Sequence, residues 1–157
     1  MAQPHAKQSL RVWLRMLRAT TIIEKRIRAY LKAEFDSTLP RFDVLSALYR
    51  ETAPITMTQL TDHLLVSNGN VTGLVNRLVE DGLILRESDP DDRRAQCVVL
   101  TNEGRGAFRE MAEKHEALVD SMFAAMSDDD MDTLLHLTTT LNSALHDSAR
   151  PDRKSVV

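Results

Sequence analysis

The chain has 157 residues, of which 43% are hydrophobic and 27% are charged, a balance that excludes a disordered polypeptide. This length fits one domain around one core, and the single cysteine, Cys97, excludes an intramolecular disulfide framework. Because no apolar run is long enough to span a bilayer and no secretory signal opens the sequence, we expect a cytoplasmic protein.

The charges are unevenly distributed along the chain. The net charge of -3 by itself speaks against nucleic-acid binding, which depends on clustered Lys and Arg side chains. Residues 1–50, however, hold 10 basic and 4 acidic side chains, whereas residues 101–149 hold 3 basic and 10 acidic ones. An acidic C-terminal segment can lie far from DNA that a few arginines contact, so the net charge does not exclude a DNA-binding protein.

The first third of the chain predicts two helices. Apolar residues recur at helical spacing over residues 10–35, which indicates a long amphipathic helix that ends near residues 36–40. A second helix is predicted over residues 41–50, and Pro54 prevents its continuation. Ile55 is then predicted to form a very short strand.

Two shorter helices follow, joined by a tight turn. Thr56 or Thr58 is expected to cap the third helix. A Ser-Asn-Gly-Asn turn at residues 67–70 leads into a fourth helix, which ends at Asp81-Gly82. The third helix is expected to turn three leucines inward, Leu60, Leu64 and Leu65.

After the fourth helix the apolar period changes from 3.6 to 2 residues, which predicts strands over residues 83–87 and 96–100 joined by a polar turn. A fifth helix begins at residues 101–103, and its apolar seam, with alternating spacings of four and three residues, is typical of a helix that packs on a partner helix. Acidic residues at 128–130 favour the start of a sixth helix. The tail, residues 150–157, is predicted to be disordered.

Helix, turn, helix and hairpin in immediate succession predict a winged helix-turn-helix. In this fold the second helix enters the major groove of DNA and the hairpin reaches the adjoining minor groove. The predicted fold class is therefore mainly α with a small β-hairpin, built from six helices and two to three short strands.

The fourth helix is predicted to be two-faced, with apolar residues on one side and polar residues on the other. An Asn amide can pair with an adenine edge, Thr offers a hydroxyl and a methyl group, and Arg can reach guanine or phosphate. Two positions are glycines, although Gly destabilises a helix by about 1 kcal/mol relative to Ala. Close approach of the backbone to DNA would explain both; alternatively Gly69 still belongs to the turn and Gly73 is merely tolerated. The outward and flanking residues are Gly69, Asn70, Thr72, Gly73, Asn76 and Arg77.

The predicted hairpin tip carries Asp92, Arg93 and Arg94. A guanidinium group suits the narrow, electronegative minor groove, and Asp92 can orient one of the two arginines. Such a run is by itself more often a solvated polar turn. Its place directly after a helix-turn-helix favours the DNA-binding interpretation.

The sequence from residue 60 to residue 104 closely resembles the MarR family of bacterial transcription regulators. The resemblance implies a homodimer that binds pseudo-palindromic double-stranded DNA, in most cases as a repressor that a small ligand releases. It also implies a single domain, residues 1–157, in which segments 6–36 and 101–149 form a dimerisation lobe beside a DNA-binding lobe at 41–104. The runs that carry it are Leu60-Thr61-Asp62-His63-Leu64, Val71-Thr72-Gly73-Leu74-Val75-Asn76-Arg77-Leu78, Asp81-Gly82-Leu83-Ile84, Asp89-Pro90-Asp91-Asp92-Arg93-Arg94 and Leu100-Thr101-Asn102-Glu103-Gly104.

The resemblance also implies roles for single residues. The arginine at the position of Arg94 enters the minor groove, and the aspartate at the position of Asp92 orients it. Many members carry a basic residue where Gly73 stands, so base readout is expected to shift toward the polar residues around it. The predicted DNA contacts are Ser67, Asn68, Asn70, Thr72, Gly73, Asn76, Arg77, Asp92, Arg93 and Arg94.

Residues 14–35, 38–43 and 66–72 are similar to a branch of the family that responds to aromatic acids or their coenzyme A thioesters. An anionic effector of this kind would need cations beside an apolar slot. The alternative is that Trp13 and Met16 belong to an interface core and the arginines to a solvated surface. The predicted effector-binding residues are Arg11, Trp13, Arg15, Met16, Arg41 and Phe42, with Arg18 as a further cation.

Three other functions find less support in the sequence. The five histidines are scattered and no catalytic triad or phosphate-binding loop is recognisable, so we expect no enzyme, no catalytic residue, no metal site and no cofactor. A redox-responsive regulator that uses Cys97 is an alternative, although a cysteine inside a hairpin strand is more often a small buried residue. A winged helix that binds proteins instead of DNA would carry outward aromatic or leucine side chains on its recognition helix, and none is predicted there.

Overall fold

The computed structural model describes residues 4–64, 70–89, 92 and 95–148. The chain divides into two compact units, Met1–Val119 and Asp120–Val157. The described residues form six helices and three strands, which confirms the predicted fold class. In chain order they are α1 (Pro4–Phe35), α2 (Leu39–Tyr49), β1 (Ile55–Thr56), α3 (Met57–His63), α4 (Val71–Glu80), β2 (Ile84–Ser88), β3 (Gln96–Leu100), α5 (Asn102–Phe123) and α6 (Asp128–Ser148).

Helix α1 is longer than predicted, because it begins at Pro4 instead of residue 10. Its end is set by Asp36, which has a left-handed φ of 46°. The Ser37 amide donates to the Leu31 carbonyl at 3.1 Å, which ties the residue that follows this turn back to the end of the helix. The chain then turns directly into α2.

Threonine caps set the starts of the next two helices. The Thr38 hydroxyl accepts from the Arg41 amide at 3.4 Å, so α2 begins two residues earlier than predicted. Thr56 caps α3: its hydroxyl accepts from the Gln59 amide at 3.2 Å, and Gln59 Oε1 accepts from the Thr56 amide at 2.9 Å. This reciprocal pair is a capping box, which decides between the two predicted caps.

The three strands form one antiparallel sheet in the order β1-β3-β2. Ile55 of β1 lies opposite Val98, and Ile84 of β2 lies opposite Leu100. The hairpin of β2 and β3 is the predicted wing. Because β1 immediately precedes α3, its pairing with β3 ties the base of the wing to the start of the helix-turn-helix.

The core of the first unit joins the helix-turn-helix to the sheet. Leu64, which was expected to face inward, is only half-buried, and Leu65 lies outside the described residues. Helices α1 to α4 and strands β2 and β3 each contribute a side chain that is less than 2% exposed; these are Leu31, Val44, Leu45, Leu60, Val75, Leu78, Ile84 and Val98. Helix α4, the second helix of the helix-turn-helix, and the wing therefore pack on one common core.

Helix α5 begins in close contact with the segment between α4 and β2. The Thr101 hydroxyl accepts from the Gly104 amide at 2.9 Å and donates to the Gly82 carbonyl at 2.7 Å. A Cβ at Gly104 would lie 2.0 Å from the Leu83 carbonyl oxygen, so no larger residue fits there. These contacts set the position at which α5 leaves the sheet.

The second unit contains α6, which begins directly after Ser127. The Ser127 hydroxyl accepts from the Asp130 amide at 3.2 Å and donates to the Asp130 carboxylate at 2.8 Å. The acidic first turn lies at the positive end of the helix dipole, as predicted. Six large apolar side chains of this helix are at least 38% exposed: Met131, Leu134, Leu135, Leu137, Leu141 and Leu145. None of the described helices combines the length and the apolar content needed to cross a membrane.

Candidate nucleic-acid interface

Helix α4 has one buried and one exposed face. Val71, Val75 and Leu78 are buried and Leu74 is half-buried, as the apolar pattern predicts. The predicted contacts Thr72, Asn76 and Arg77 are all exposed. The polar groups that the sequence assigns to DNA therefore lie on the solvent side of this helix.

Asn70 and Gly73 form the N-terminal cap of α4. The Asn70 Oδ1 atom accepts from the Gly73 amide at 2.9 Å. A Cβ at Gly73 would lie 2.5 Å from Asn70 Nδ2 and 2.6 Å from Asn70 Oδ1. The folded-back cap thus supplies a local reason for the glycine, one that the sequence alone did not suggest. It also directs the Asn70 Oδ1 atom, the acceptor expected to read a base, toward the backbone of α4.

Asn76 has a partner that the sequence analysis missed. The Arg86 guanidinium on β2 donates to Asn76 Oδ1, so the middle of α4 is connected to the first strand of the wing. The only signal for this contact in the sequence is the spacing of two residues between Ile84 and Arg86, which places both on the same face of a strand. The structure shows that Ile84 is buried on that face.

The wing turn is described in part. The Asp89 amide donates to the Ala95 carbonyl at 3.0 Å, and the Ala95 amide donates to the Asp92 carbonyl at 2.9 Å. The Asp92 amide in turn donates to Asp89 Oδ1 at 3.3 Å. The predicted contacts that lie outside the described residues are Ser67, Asn68, Arg93 and Arg94. Their contacts with DNA stay predictions.

Comparison with known proteins agrees with this arrangement. The MarR family model matches residues 35–95, which run from the end of α1 to the end of the wing turn. An uncharacterized HTH-type transcriptional regulator of Bacillus subtilis, YkoM, is 31% identical over 117 residues, which cover 74% of this chain and 74% of that one. The chain belongs to the MarR family.

Solved structures of MarR-family proteins share the fold. A MarR family transcriptional regulator from Silicibacter pomeroyi has a TM-score of 0.77 at 29% identity, over 93% of this chain and 99% of that one. Sco3205, a MarR family transcriptional regulator from Streptomyces coelicolor solved in complex with DNA, has a TM-score of 0.77 at 23% identity, over 94% of this chain and 90% of that one. This chain is therefore a MarR-family helix-turn-helix transcriptional regulator, and its relatives agree with the expectation that it is not an enzyme.

Within one protomer of this MarR-family protein, the predicted effector residues form two separate groups. Met16 is half-buried in the first half of α1, whereas Arg41 follows the end of that helix. About 20 helical residues at a rise of ~1.5 Å each separate the two groups by roughly 30 Å. One small ligand bound to a single protomer therefore does not touch both. The exposed members of the first group are Arg11, Trp13, Arg15 and Arg18.

Arg41 and Phe42 both have structural partners. Arg41 Nη2 donates to Asp81 Oδ2 at 2.7 Å, which joins the start of α2 to the end of α4. Phe42 is only 8% exposed, and its ring lies 4.8 Å from that of His115 and 5.4 Å from that of Phe108. Phe42 therefore packs in the core of the first unit, and its predicted role in an apolar effector slot stays a prediction.

A cavity of about 370 Å³ lies between α1, the start of α2 and α4. Arg28 and Arg77 place two cationic groups in its wall, and Glu24 Oε1 holds the Arg28 guanidinium at 2.6 Å. Pro40 and Leu74 supply apolar surface, and the wall is completed by Thr38, Asn70 and Gly73. This mixture of cationic and apolar walls suits an amphipathic anion.

A smaller cavity of about 140 Å³ is lined by Arg41 together with Glu110. Arg41 Nε is buried and has no hydrogen-bond partner among the described residues. The Glu110 carboxylate in the same wall opposes the binding of an anion. Arg41 is therefore a weaker candidate for effector binding than Arg28, which the sequence analysis did not select.

The environment of Cys97 does not favour a redox sensor. Cys97 is 5% exposed in β3, and an Asp89 carboxylate oxygen lies 3.7 Å from its sulfur. Burial raises the pKa of the thiol, and the negative charges of Asp89 and Glu87 raise it further. A redox-responsive cysteine must be accessible to solvent and must ionise to the thiolate. Burial in β3 and the nearby carboxylates disfavour both. Within the described ranges, no cluster of three or more His, Cys, Asp or Glu side chains is placed to hold a metal ion.

Proposed function

We propose that this regulator is a dimeric repressor that reads a pseudo-palindromic operator through α4 and its wing. The observation that carries the proposal is the division of α4 into two faces. Val75 and Leu78 are 0% exposed, so the helix is locked into the core while Thr72, Asn76 and Arg77 stay exposed. A reading surface of this kind is held rigid, as the recognition of base edges requires.

The test is a gel-shift assay of the full-length chain against the region upstream of its own gene, repeated at several salt concentrations. Specific binding should exceed binding to random DNA on the order of ten-thousand-fold. It should also weaken steeply with salt, because phosphate contacts release counterions. Equal weak binding to every duplex would contradict the proposal.

For the wing, we propose that Arg94 enters the minor groove and that Asp92 orients it. The support is the resemblance to the family together with the place of Asp92 in the hydrogen-bonded wing turn. Arg94→Ala should lower operator affinity about tenfold, the loss expected for one well-placed arginine contact. Arg109→Ala, which removes an exposed arginine from α5, is the charge-matched control and should leave affinity unchanged. The same affinity for both variants would refute the role of Arg94.

The proposal of a dimer rests on apolar surface that the single chain leaves open. In the first half of α1, five large apolar side chains are at least 43% exposed, and α6 carries the exposed set given above. Extended apolar surface on a folded chain marks an interface. A two-fold dimer also matches the two half-sites of a pseudo-palindromic operator. The residues on α1 are Leu10, Val12, Trp13, Leu14 and Leu17.

We further propose that a small aromatic acid or its coenzyme A thioester relieves repression, by binding in the cavity between α1, α2 and α4. The cavity volume of about 370 Å³ lies in the usual range of ligand sites. Arg28 and Arg77 are placed to pair with a carboxylate, and Pro40 and Leu74 offer surface to a ring. Because Arg77 is also a proposed DNA contact, an occupant would act directly on the recognition helix.

Thermal unfolding tests the effector and its place together. A ligand that binds the native state must raise the melting temperature, so benzoate, hydroxycinnamates and their coenzyme A thioesters are screened for such a rise. Arg28→Gln should abolish the rise, whereas Arg41→Gln, which changes the arginine of the smaller cavity, should keep it. If Arg41→Gln alone abolishes the rise, the site is the smaller cavity instead.

A further inference from the structure

Asn76 and Arg86 belong to different elements and are joined by a hydrogen bond from Arg86 Nη2 to Asn76 Oδ1. Both side chains are exposed, so the pair lies on the surface at the junction of recognition helix and wing. Ile84 is 0% exposed and shares its strand face with Arg86. Because α4 packs against β2, this face directs the Arg86 side chain toward the helix.

The chemistry of the partner fixes the orientation of the Asn76 amide. A guanidinium group donates hydrogen bonds and accepts none, so the atom that faces Arg86 must be the amide oxygen. The Nδ2 group, with its two N–H donors, then points away from Arg86. Asn76 in this arrangement offers donors to an incoming DNA edge, while its acceptor is engaged within the protein.

We propose that Arg86 is a specificity-determining residue, because it holds Asn76 as a donor and thereby makes this position select guanine over adenine. An unrestrained Asn reads adenine with both ends of its amide: Oδ1 accepts from N6 and Nδ2 donates to N7. Because Oδ1 already accepts from the Arg86 guanidinium, the adenine N6 donor would have to share this oxygen with a cationic group. Guanine presents two acceptors, O6 and N7, in the same groove and meets only donors. The inference rests on the proposed placement of α4 in the major groove.

Selection of binding sites from randomised duplexes tests this inference with the full-length chain. Comparison of the wild type with Asn76→Ala identifies the base pair that Asn76 reads, because discrimination is lost there. We expect guanine at that pair in the wild type. Arg86→Met removes the donor and keeps the chain length, so the preference for guanine over adenine should fall about tenfold at that pair alone. Arg86→Lys still donates and should keep guanine.

Asn76→Asp provides an independent measurement should Arg86→Met fail to fold. The carboxylate can pair with Arg86 but has no donor to offer a base, so the preference for guanine should be lost while the pair persists. Adenine at that pair in the wild type, or a uniform loss of affinity for all sequences in Arg86→Met with the preference unchanged, overturns the inference. If the wild type itself does not distinguish its operator from random DNA, it is the proposed function that fails.

Discussion

At position 73, the absence of a side chain makes room for a hydrogen bond. Asn70 Oδ1 caps α4 through the Gly73 amide, and a Cβ at Gly73 would lie 2.5 Å from the Asn70 side chain. An N-cap side chain contributes about 1 kcal/mol to helix stability. Glycine inside a helix is less favourable than alanine by a similar amount, about 1 kcal/mol. Because these two contributions are similar in size, the stability of a variant changed at position 70 or 73 alone does not show whether the cap and a side chain at position 73 compete for space.

A double-mutant cycle separates the two contributions. Asn70→Ala should lower the free energy of unfolding by about 1 kcal/mol, since the cap is lost. Gly73→Ala should give no gain in the wild type, because the cap must move, but should raise stability by up to about 1 kcal/mol when Asn70 is already alanine. Urea denaturation followed by circular dichroism measures all four proteins. An equal gain from Gly73→Ala in both backgrounds would show that the two residues do not compete for space.

His115 makes the native state sensitive to pH. Its ring stacks on Phe42, and burial lowers the pKa of the imidazole below its ordinary value. The unfolded chain therefore binds a proton more readily than the folded one. The contribution of neutral His115 to the free energy of unfolding is fully present above the ordinary pKa of about 6.5. It decreases as the pH falls below that value toward the lower pKa of the folded state.

The expected result is a fall in the free energy of unfolding between about pH 7.5 and about pH 5.5, and a smaller fall in His115→Phe. The phenylalanine keeps a ring on Phe42 but does not titrate. Burial raises the pKa of Asp43, which changes stability with pH in the opposite sense, so the measured quantity is the difference between the two proteins. Urea denaturation at a series of pH values provides it. Identical pH profiles would exclude His115 as the cause.

At the scale of single elements, the start of α5 depends on one close contact. A Cβ at Gly104 would meet the Leu83 carbonyl oxygen at 2.0 Å, whereas a Cβ at Gly106 in the same helix meets nothing within 4 Å. Gly104→Ala should therefore lower the free energy of unfolding by about 1–3 kcal/mol through overpacking. Gly106→Ala is the matched control and should leave stability unchanged or raise it by up to about 1 kcal/mol. Thermal unfolding compares them, and equal effects would mean that α5 is not held by this contact.

At the scale of the whole molecule, the apolar residues of α1 make the proposed dimer measurable. Trp13 is the single tryptophan of the chain and is 55% exposed. If the first half of α1 lies in the dimer interface, tryptophan emission should move to shorter wavelength as protein concentration rises. Leu17→Asp places a charge on the same surface and should shift both emission and sedimentation toward the monomer. A dimer in sedimentation with unchanged emission would place Trp13 outside the interface.

The sequence by itself determined the order and type of the elements. Apolar periods of 3.6 and 2 residues mark the helices and the wing, and the capping residues mark the helix starts, because both are local properties of the chain. The predicted fold class, with its winged helix-turn-helix, is confirmed for this reason. Helix boundaries differ from the predicted ones where a capping hydrogen bond sets them, as at Thr38 before α2.

Only the tertiary structure decided which of the polar residues have partners within the protein. Arg86 meets Asn76 because β2 packs on α4, and Arg41 meets Asp81 because the start of α2 lies beside the end of α4. Such contacts join residues on different elements, and no spacing along the chain announces them. The sequence therefore predicted the face of α4 that is offered to DNA, while the packing of the wing decided which atoms of Asn76 that face presents.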